Sequence, residues 1–428
     1  PDGAEDGADG GAAGETAGEA RARRGGASIG ELVQAASERY DLNTEFWGKY
    51  TDIPAMALAS EKADILQIIE NFAMIHRKHH YLFQRLKCTV LRSADAWSAP
   101  DFACLCHAWA QLGFLHEDLC VGMADRVAAT AHACSARELV WLLDAYATAR
   151  CSVEAVSAEI AQQTLMRMDE FTLPELCLHA SSFARLNLRY PGVFQALADR
   201  LVVPGGAGAQ GLSARDVTLA AYAFAKLGFA SPGVLAALAG RAREVIRDLT
   251  ARDLQMLAVA LARARHADQE LLDGIAAQAQ RRVAQFNSES LVLMLRAVAF
   301  FGLRHDPLFT RAAVQLPRAI LTFRPVDVTT LLNAYAAVQV HSPALFDVVT
   351  PFILEKAPFF TPADWLGALR GYSALGFKDQ AFLSALGAHL DARRLTARQL
   401  SAALVDCSRL SSAGPSAALA EAAAARGV

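Results

Sequence analysis

The chain has 428 residues and a formal net charge of −3, so its total charge gives no sign of general nucleic-acid binding. Hydrophobic residues make up 53% and charged residues 20%, which is enough apolar material for a continuous core. The eight cysteines show no paired metal-ligand spacing, which favours reduced core thiols in a non-secretory compartment. No stretch reaches 18 uninterrupted apolar residues, which argues against a membrane span.

The N-terminal segment divides by composition into two parts. Residues 1–27 are mostly Gly, Ala, Asp and Glu, a composition typical of a disordered tail. Residues 28–60 open with Ser28 and Glu31 in capping-box spacing and continue with apolar residues, which predicts N-terminal capping helices.

A pattern of about 37 residues then recurs along the chain. Its clearest copy runs from Ser213 to Phe229: Ser213 and Asp216 form a capping box, apolar residues follow at helical spacing, and Gly228 suits a left-handed helix end. The ten copies open at Glu61, Ser98, Ser135, Thr172, Ser213, Thr250, Asn287, Arg324, Thr361 and Thr396. Seven of the nine gaps are 37 residues, and the longest, 41, is explained by a loop over 204–211.

Each copy predicts a helical hairpin when positions are counted from its opening residue as zero. Position three is acidic in eight copies, position eleven is usually large, position twelve is Ala or Ser, and position 21 starts an apolar face on a second helix. We therefore expect an all-α fold, a right-handed α-solenoid of about ten hairpins. The repeat array should cover residues 61–395, with units starting near 61, 98, 135, 172, 213, 250, 287, 324 and 361, and residues 396–428 should form a partial repeat or C-terminal cap.

The repeat consensus A-[YF]-A-x-L-G-[FL] is visible in the segments 108–114, 224–229 and 372–377. It resembles the heptatricopeptide repeats of organellar RNA-binding proteins, which are related to RAP-domain, FASTK-like and octotricopeptide proteins and occur in apicomplexan mitochondrial ribosomes. The resemblance implies location in the mitochondrial matrix, binding of RNA such as ribosomal RNA fragments, and protein partners in a ribonucleoprotein assembly. No C-terminal RAP domain is recognisable, so a nuclease-like role is not expected.

One face of the predicted first helices is enriched in basic residues. Positions 2, 9 and 13 fall within about 40 degrees of one another around a helix, opposite the core positions. Arginine can bind phosphate oxygens in a fork, and aromatic rings can stack on unpaired bases. The candidate RNA-binding residues on this face are Arg137, Arg185, Arg215, Tyr222, Lys226, Arg252, Arg263, Arg296, Arg370, Arg398 and Arg409. The alternative is a solvated face whose arginines pair with neighbouring cap acids.

Other motifs are weaker. Gly206, Gly208 and Gly211 have dinucleotide-fingerprint spacing but lie between predicted helices. Cys104 and Cys106 point apart on one helix, and the histidines near His79 lack a matched ligand set, so no metal site is expected. The basic run from Arg77 to Lys87 is either a patch for RNA or an acidic partner, or a solvated face.

No nucleophile and base constellation emerges, so we expect a non-enzyme with no cofactor, no metal and no small-molecule substrate. The leading hypothesis is a mitochondrial ribosome component that binds and stabilises ribosomal RNA. The alternatives are a protein-only scaffold or adaptor of an organellar complex, and an organellar factor for transcript stability or translation.

Overall fold

The structure is a computed structural model, and it describes residues 56–57, 59–203, 208–410 and 413–424. The predicted tail over 1–27 and nearly all of the predicted capping helices over 28–60 lie outside these residues. The described part contains 21 α-helices and no strand, which confirms the all-α expectation. Within it, no helix has both the length and the apolar character that crossing a bilayer requires.

The helices alternate as first and second members of hairpins. The first helices are α1 Lys62–Met74, α3 Ala99–Gln111, α6 Ala136–Ala149, α8 Leu173–Arg185, α10 Ala214–Leu227, α12 Ala251–Ala264, α14 Ser288–Phe300, α16 Pro325–Val338, α18 Pro362–Ala374 and α20 Ala397–Arg409. The second helices are α2 His80–Arg92, α4 Glu117–Gly122 with α5 Ala124–Thr130, α7 Glu154–Met166, α9 Pro191–Leu201, α11 Pro232–Glu244, α13 Gln269–Arg281, α15 Asp306–Ala319, α17 Pro343–Lys356, α19 Gln380–His389 and α21 Ala413–Ala424.

Local capping sets the start of most first helices. In α10 the backbone N–H of Asp216 donates to Ser213 Oγ at 3.3 Å, and the backbone N–H of Ser213 donates to Asp216 Oδ2 at 3.0 Å. These two bonds satisfy amides that the helix itself leaves unpaired. The same reciprocal arrangement recurs at Thr172, Thr250 and Thr361, so the repeat opens at the same structural point each time.

The first helices also end alike. Position 15 has a positive φ in nine successive copies, and Gly228 meets this requirement with φ 78°. Five copies place a residue with a side chain there, namely His76, Arg150, Asn187, Arg265 and Gln339. The hairpin turn is therefore imposed by packing as well as by glycine, since side chains disfavour this backbone region.

The core forms between neighbouring hairpins. First helices pack on first helices and second helices on second helices, as in an α-solenoid. The large residue at position eleven is buried in every described copy, and the tyrosines there also bond across the repeat boundary. Tyr146 donates to the carbonyl of Cys120 at 2.9 Å and Tyr335 to that of Phe309 at 2.6 Å, in each case on the second helix of the preceding repeat.

The hairpins group into two compact units. The first unit ends at Phe171 and the second begins at Thr172. In the second unit the first helices α8, α10, α12, α14, α16, α18 and α20 lie side by side, each packed on the next. This arrangement brings the same helix positions of successive repeats into one row.

Candidate nucleic-acid interface

The predicted basic residues lie at the protein surface, and most belong to the second unit. In the second unit, Tyr222 and Lys226 are half-buried and the eight predicted arginines are exposed. We call the basic stripe the set Arg185, Arg215, Lys226, Arg252, Arg263, Arg296, Arg370, Arg398 and Arg409, of which all but Lys226 are exposed. Only Glu289 provides a carboxylate at the same positions of the second unit, so this row is strongly positive.

The cap acids next to the stripe are engaged elsewhere. Asp216 Oδ2 accepts from the Ser213 hydroxyl at 2.6 Å, and Asp253 Oδ2 accepts from the Thr250 hydroxyl at 2.6 Å. In the described part of the chain, no carboxylate lies within 4 Å of the basic groups of six stripe arginines: Arg215, Arg252, Arg263, Arg296, Arg370 and Arg398. The pairing with cap acids that the alternative hypothesis requires is therefore not found at these six residues.

Two stripe residues have a charged or an aromatic neighbour. Arg409 Nη1 lies 3.8 Å from Asp406 Oδ1, an ion pair at the edge of contact range. Lys226 Nζ lies over the ring of Tyr222, 5.5 Å from its centroid. A cation held on an aromatic face keeps its charge. The ammonium group of Lys226 and the ring of Tyr222 therefore lie together on this face.

The stripe becomes concave near the end of the second unit. A groove of about 620 Å³ opens between the first helices α16, α18 and α20. Its lining includes three cations and one carboxylate, with polar and apolar side chains between them: Arg370, Arg398, Arg409, Asp406, Asn333, Ser401 and Val405. Alanines contribute much of the remaining lining, and their small side chains leave the floor accessible between the three guanidinium groups: Ala336, Ala337, Ala374 and Ala402.

The stripe face also carries an apolar row that the sequence reasoning missed. Position six falls within about 60 degrees of positions 2, 9 and 13 around the helix, so the spacing of residues in the sequence is enough to place it on this face. In the second unit it is occupied by the half-buried side chains of Leu178, Leu219, Met256 and Leu293. A ligand on this face would contact cations on one side of a row of aliphatic side chains.

The first unit presents a different surface at the equivalent positions. Arg137 is exposed there, but Glu70 and Asp144 occupy position nine of the first and third repeats. Arg137 therefore belongs to a unit whose equivalent positions are not predominantly basic. The predicted set of eleven residues is thus brought together only in part, with ten in the second unit.

The weaker sequence motifs have structural roles where they are described. His79 Nδ1 accepts from the backbone N–H of Leu82 at 3.3 Å and caps α2. Lys87 is buried, and its ammonium lies 2.7 Å from Asp118 Oδ2, which lowers the pKa of that carboxyl. Lys87 is therefore not available as part of a surface patch.

The cysteine, histidine and glycine motifs are described only in part. The described residues contain no group of three or more His, Cys, Asp or Glu side chains that could hold a metal ion. Gly206 lies outside the described residues. Gly208 is buried where a Cβ atom would lie 2.4 Å from the carbonyl oxygen of Arg200, so glycine is needed there for packing.

The stacked hairpins and the exposed basic row define a helical-repeat protein with a candidate nucleic-acid surface. Residues 60–299 and 253–389 match the family model of the RNA-editing substrate-binding complex 6 protein. Because these segments together span more than half of the 428 residues, the chain belongs to that family. A search of curated proteins found no match. The resemblance to heptatricopeptide repeats remains a prediction from the repeat consensus.

Proposed function

We propose that this protein is a non-catalytic RNA-binding component of a mitochondrial ribonucleoprotein assembly. The observation that carries the proposal is the basic stripe of the second unit, where positions 2, 9 and 13 hold nine cations and one carboxylate in a chain of net charge −3. The family membership supports the proposal, because the family is named for a complex that binds RNA-editing substrates. The resemblance to organellar repeat proteins supports the mitochondrial location.

The stripe would act by following the phosphate backbone. Arginine guanidinium groups bind phosphate oxygens through two parallel N–H bonds. Six of the seven hairpins of the unit carry one or two stripe cations, and the hairpin that opens at Arg324 carries none. The groove at Arg370, Arg398 and Arg409 is the point where three such groups converge on one volume. Cofactors and small-molecule substrates play no part in this mechanism.

Two assemblies fit this chemistry. The family name favours a complex that holds substrates for RNA editing, and we place this first. The resemblance to heptatricopeptide proteins favours the mitochondrial ribosome with ribosomal RNA as ligand. Crosslinking in the native compartment, followed by sequencing of the attached RNA and sedimentation, distinguishes them: messenger or guide-type RNA in a lighter particle supports the first, and ribosomal RNA in a heavy particle supports the second.

The stripe itself is tested with matched charge removals. The triple variant Arg215→Ala, Arg252→Ala, Arg263→Ala removes three stripe cations, and the control Arg247→Ala, Arg281→Ala, Arg318→Ala removes three exposed cations of the same unit outside the stripe. We expect the stripe variant to weaken binding of single-stranded RNA by at least about tenfold. The salt slope, which is the fall in the logarithm of the binding constant with the logarithm of salt concentration, should decrease by about 2, because each lost phosphate contact removes roughly 0.7. Equal losses in both variants would contradict the proposal, because they would reflect net charge alone.

A further inference from the structure

A stacked pair of aromatic rings lies on the first unit, on the helix face that corresponds to the face carrying the basic stripe and the apolar row in the second unit. Trp141 is at position six of α6, and His107 is at position nine of α3. Their ring centroids are 4.2 Å apart and their planes are inclined by 16°. Both side chains are half-buried, so the stack sits at the surface rather than in the core.

The packing of the repeat does not require a large ring at this point. The other described tryptophans, Trp97, Trp109 and Trp365, are at most 1% exposed and fill the core. Position six in the second unit holds aliphatic or small residues: Leu178, Leu219, Met256, Leu293, Thr330, Gly367 and Ala402. An indole at position six therefore extends across the surface of the neighbouring helix instead of completing an interior contact.

The stack is held flat and is uncharged at neutral pH. Burial lowers the pKa of His107, although the nearby charge of Asp144 opposes the shift, so the imidazole is neutral at pH 7. His107 Nε2 lies 2.9 Å from Gln111 Nε2, a contact that restrains rotation of the ring. A neutral, planar support beneath Trp141 orients the indole without adding a charge that would attract phosphate.

The surrounding charges point to the same kind of ligand group. Glu70 and Asp144 stand at position nine on either side of His107 in repeat order, opposed by the single base Arg137. These charges disfavour binding of a phosphate at this surface. The indole face of Trp141 is then the main group that a ligand could contact favourably. Unpaired nucleobases stack on such faces with little dependence on sequence, because every base presents a π surface.

We infer that Trp141, supported by His107, is a stacking platform for an unpaired base of RNA. The inference rests on the proposed function and adds a base contact in the first unit to the phosphate contacts of the second. It names single-stranded RNA as the ligand class, because bases within a duplex are stacked on each other and cannot reach an indole face.

The test compares three variants of the full chain. Trp141→Phe keeps an aromatic face, Trp141→Ala removes it, and Trp141→Leu restores the residue type found at position six of the second unit. We expect Trp141→Ala and Trp141→Leu to raise the Kd for a single-stranded oligonucleotide by about 5- to 100-fold, with an unchanged salt slope, and Trp141→Phe to stay close to the wild type. Binding of a duplex of the same sequence should not change.

Fluorescence gives a second readout, because Trp141 is the half-buried tryptophan of the described residues while the other three are buried. Single-stranded RNA should quench the wild-type emission, and Trp141→Phe should lose that quenching. Wild-type affinity in Trp141→Leu would overturn the inference, as would a fall in salt slope equal to that of the stripe variant. If the stripe variant loses RNA binding and Trp141→Leu does not, the stacking platform is refuted and the proposed function stands. If the wild type does not bind RNA, both are refuted.

Discussion

The helices α16 and α18 approach each other closely at Gly371, which allows a direct test of the packing. A Cβ atom built on Gly371 would lie 2.6 Å from the Cβ of Leu332. Ordinary carbon contacts are about 3.5 to 4.0 Å, so Gly371→Ala requires the two helices to separate by roughly 1 Å. Overpacking of this kind costs about 1 to 3 kcal/mol. Alanine offsets part of that cost, because its helix propensity is about 1 kcal/mol better than that of glycine.

The matched control is Gly240→Ala in α11. A Cβ atom at Gly240 meets no heavy atom within 4 Å, so this variant gains the helix propensity without a clash. Subtracting the two changes in unfolding free energy removes the propensity contribution and leaves the packing cost, about 1 to 3 kcal/mol. Gly371 also follows Arg370, which lines the groove, so only Gly371→Ala should weaken RNA binding.

Urea unfolding followed by far-UV circular dichroism measures both variants under identical conditions. The midpoint should fall for Gly371→Ala relative to Gly240→Ala with little change in the slope of the transition. If Gly371→Ala were as stable as Gly240→Ala, α16 and α18 would not be in close contact at Gly371, and the predicted packing cost would be refuted.

Two further predictions concern stability. Burial lowers the pKa of His179 to about 3. Below pH 6.5 this histidine is therefore protonated in the unfolded chain but not in the folded chain, and the free energy of unfolding should fall by up to about 1.4 kcal/mol per pH unit from pH 6.5 toward pH 3. His179→Leu, which restores the apolar residue usual at position seven, should flatten that dependence in urea unfolding between pH 7 and pH 5, and equal slopes in both proteins would refute the assignment. Thr250→Ala removes the hydroxyl that accepts from the backbone N–H of Asp253 at 3.2 Å and should cost about 1 kcal/mol, whereas Thr250→Ser should be near neutral; equal thermal denaturation of both variants would contradict the cap.

The sequence predicts those features whose cause is local. Ser213 and Asp216 bond to each other within one turn, so their spacing alone marks the start of α10. The periodic core follows for the same reason, because position eleven faces inward whenever the helix register is kept. The row of exposed arginines also follows from helical geometry, although its grouping into the second unit does not.

The features that the sequence does not predict depend on contacts between repeats. The stack of Trp141 on His107 joins residues 34 positions apart, and neither residue belongs to a repeated motif. Lys87 reads as part of a basic run, yet its partner Asp118 comes from the next repeat. The second helix of that repeat is split after Gly122, where a Cβ atom would lie 2.5 Å from a methyl carbon of Leu91.

The chain can be nearly neutral and still have a basic face, because the repeat places its acidic residues on a different part of the first helix. Seven described first helices use a carboxylate at position three in a capping box. The positive end of the helix dipole stabilises these carboxylates, and their oxygens accept bonds from their own cap residues. Position three is about 100 degrees from position two around the helix, so the acids offset the net charge while leaving the stripe positive. A basic helix face can therefore extend along the unit without making the protein basic, and the relevant charge is that of one helix face rather than of the whole chain.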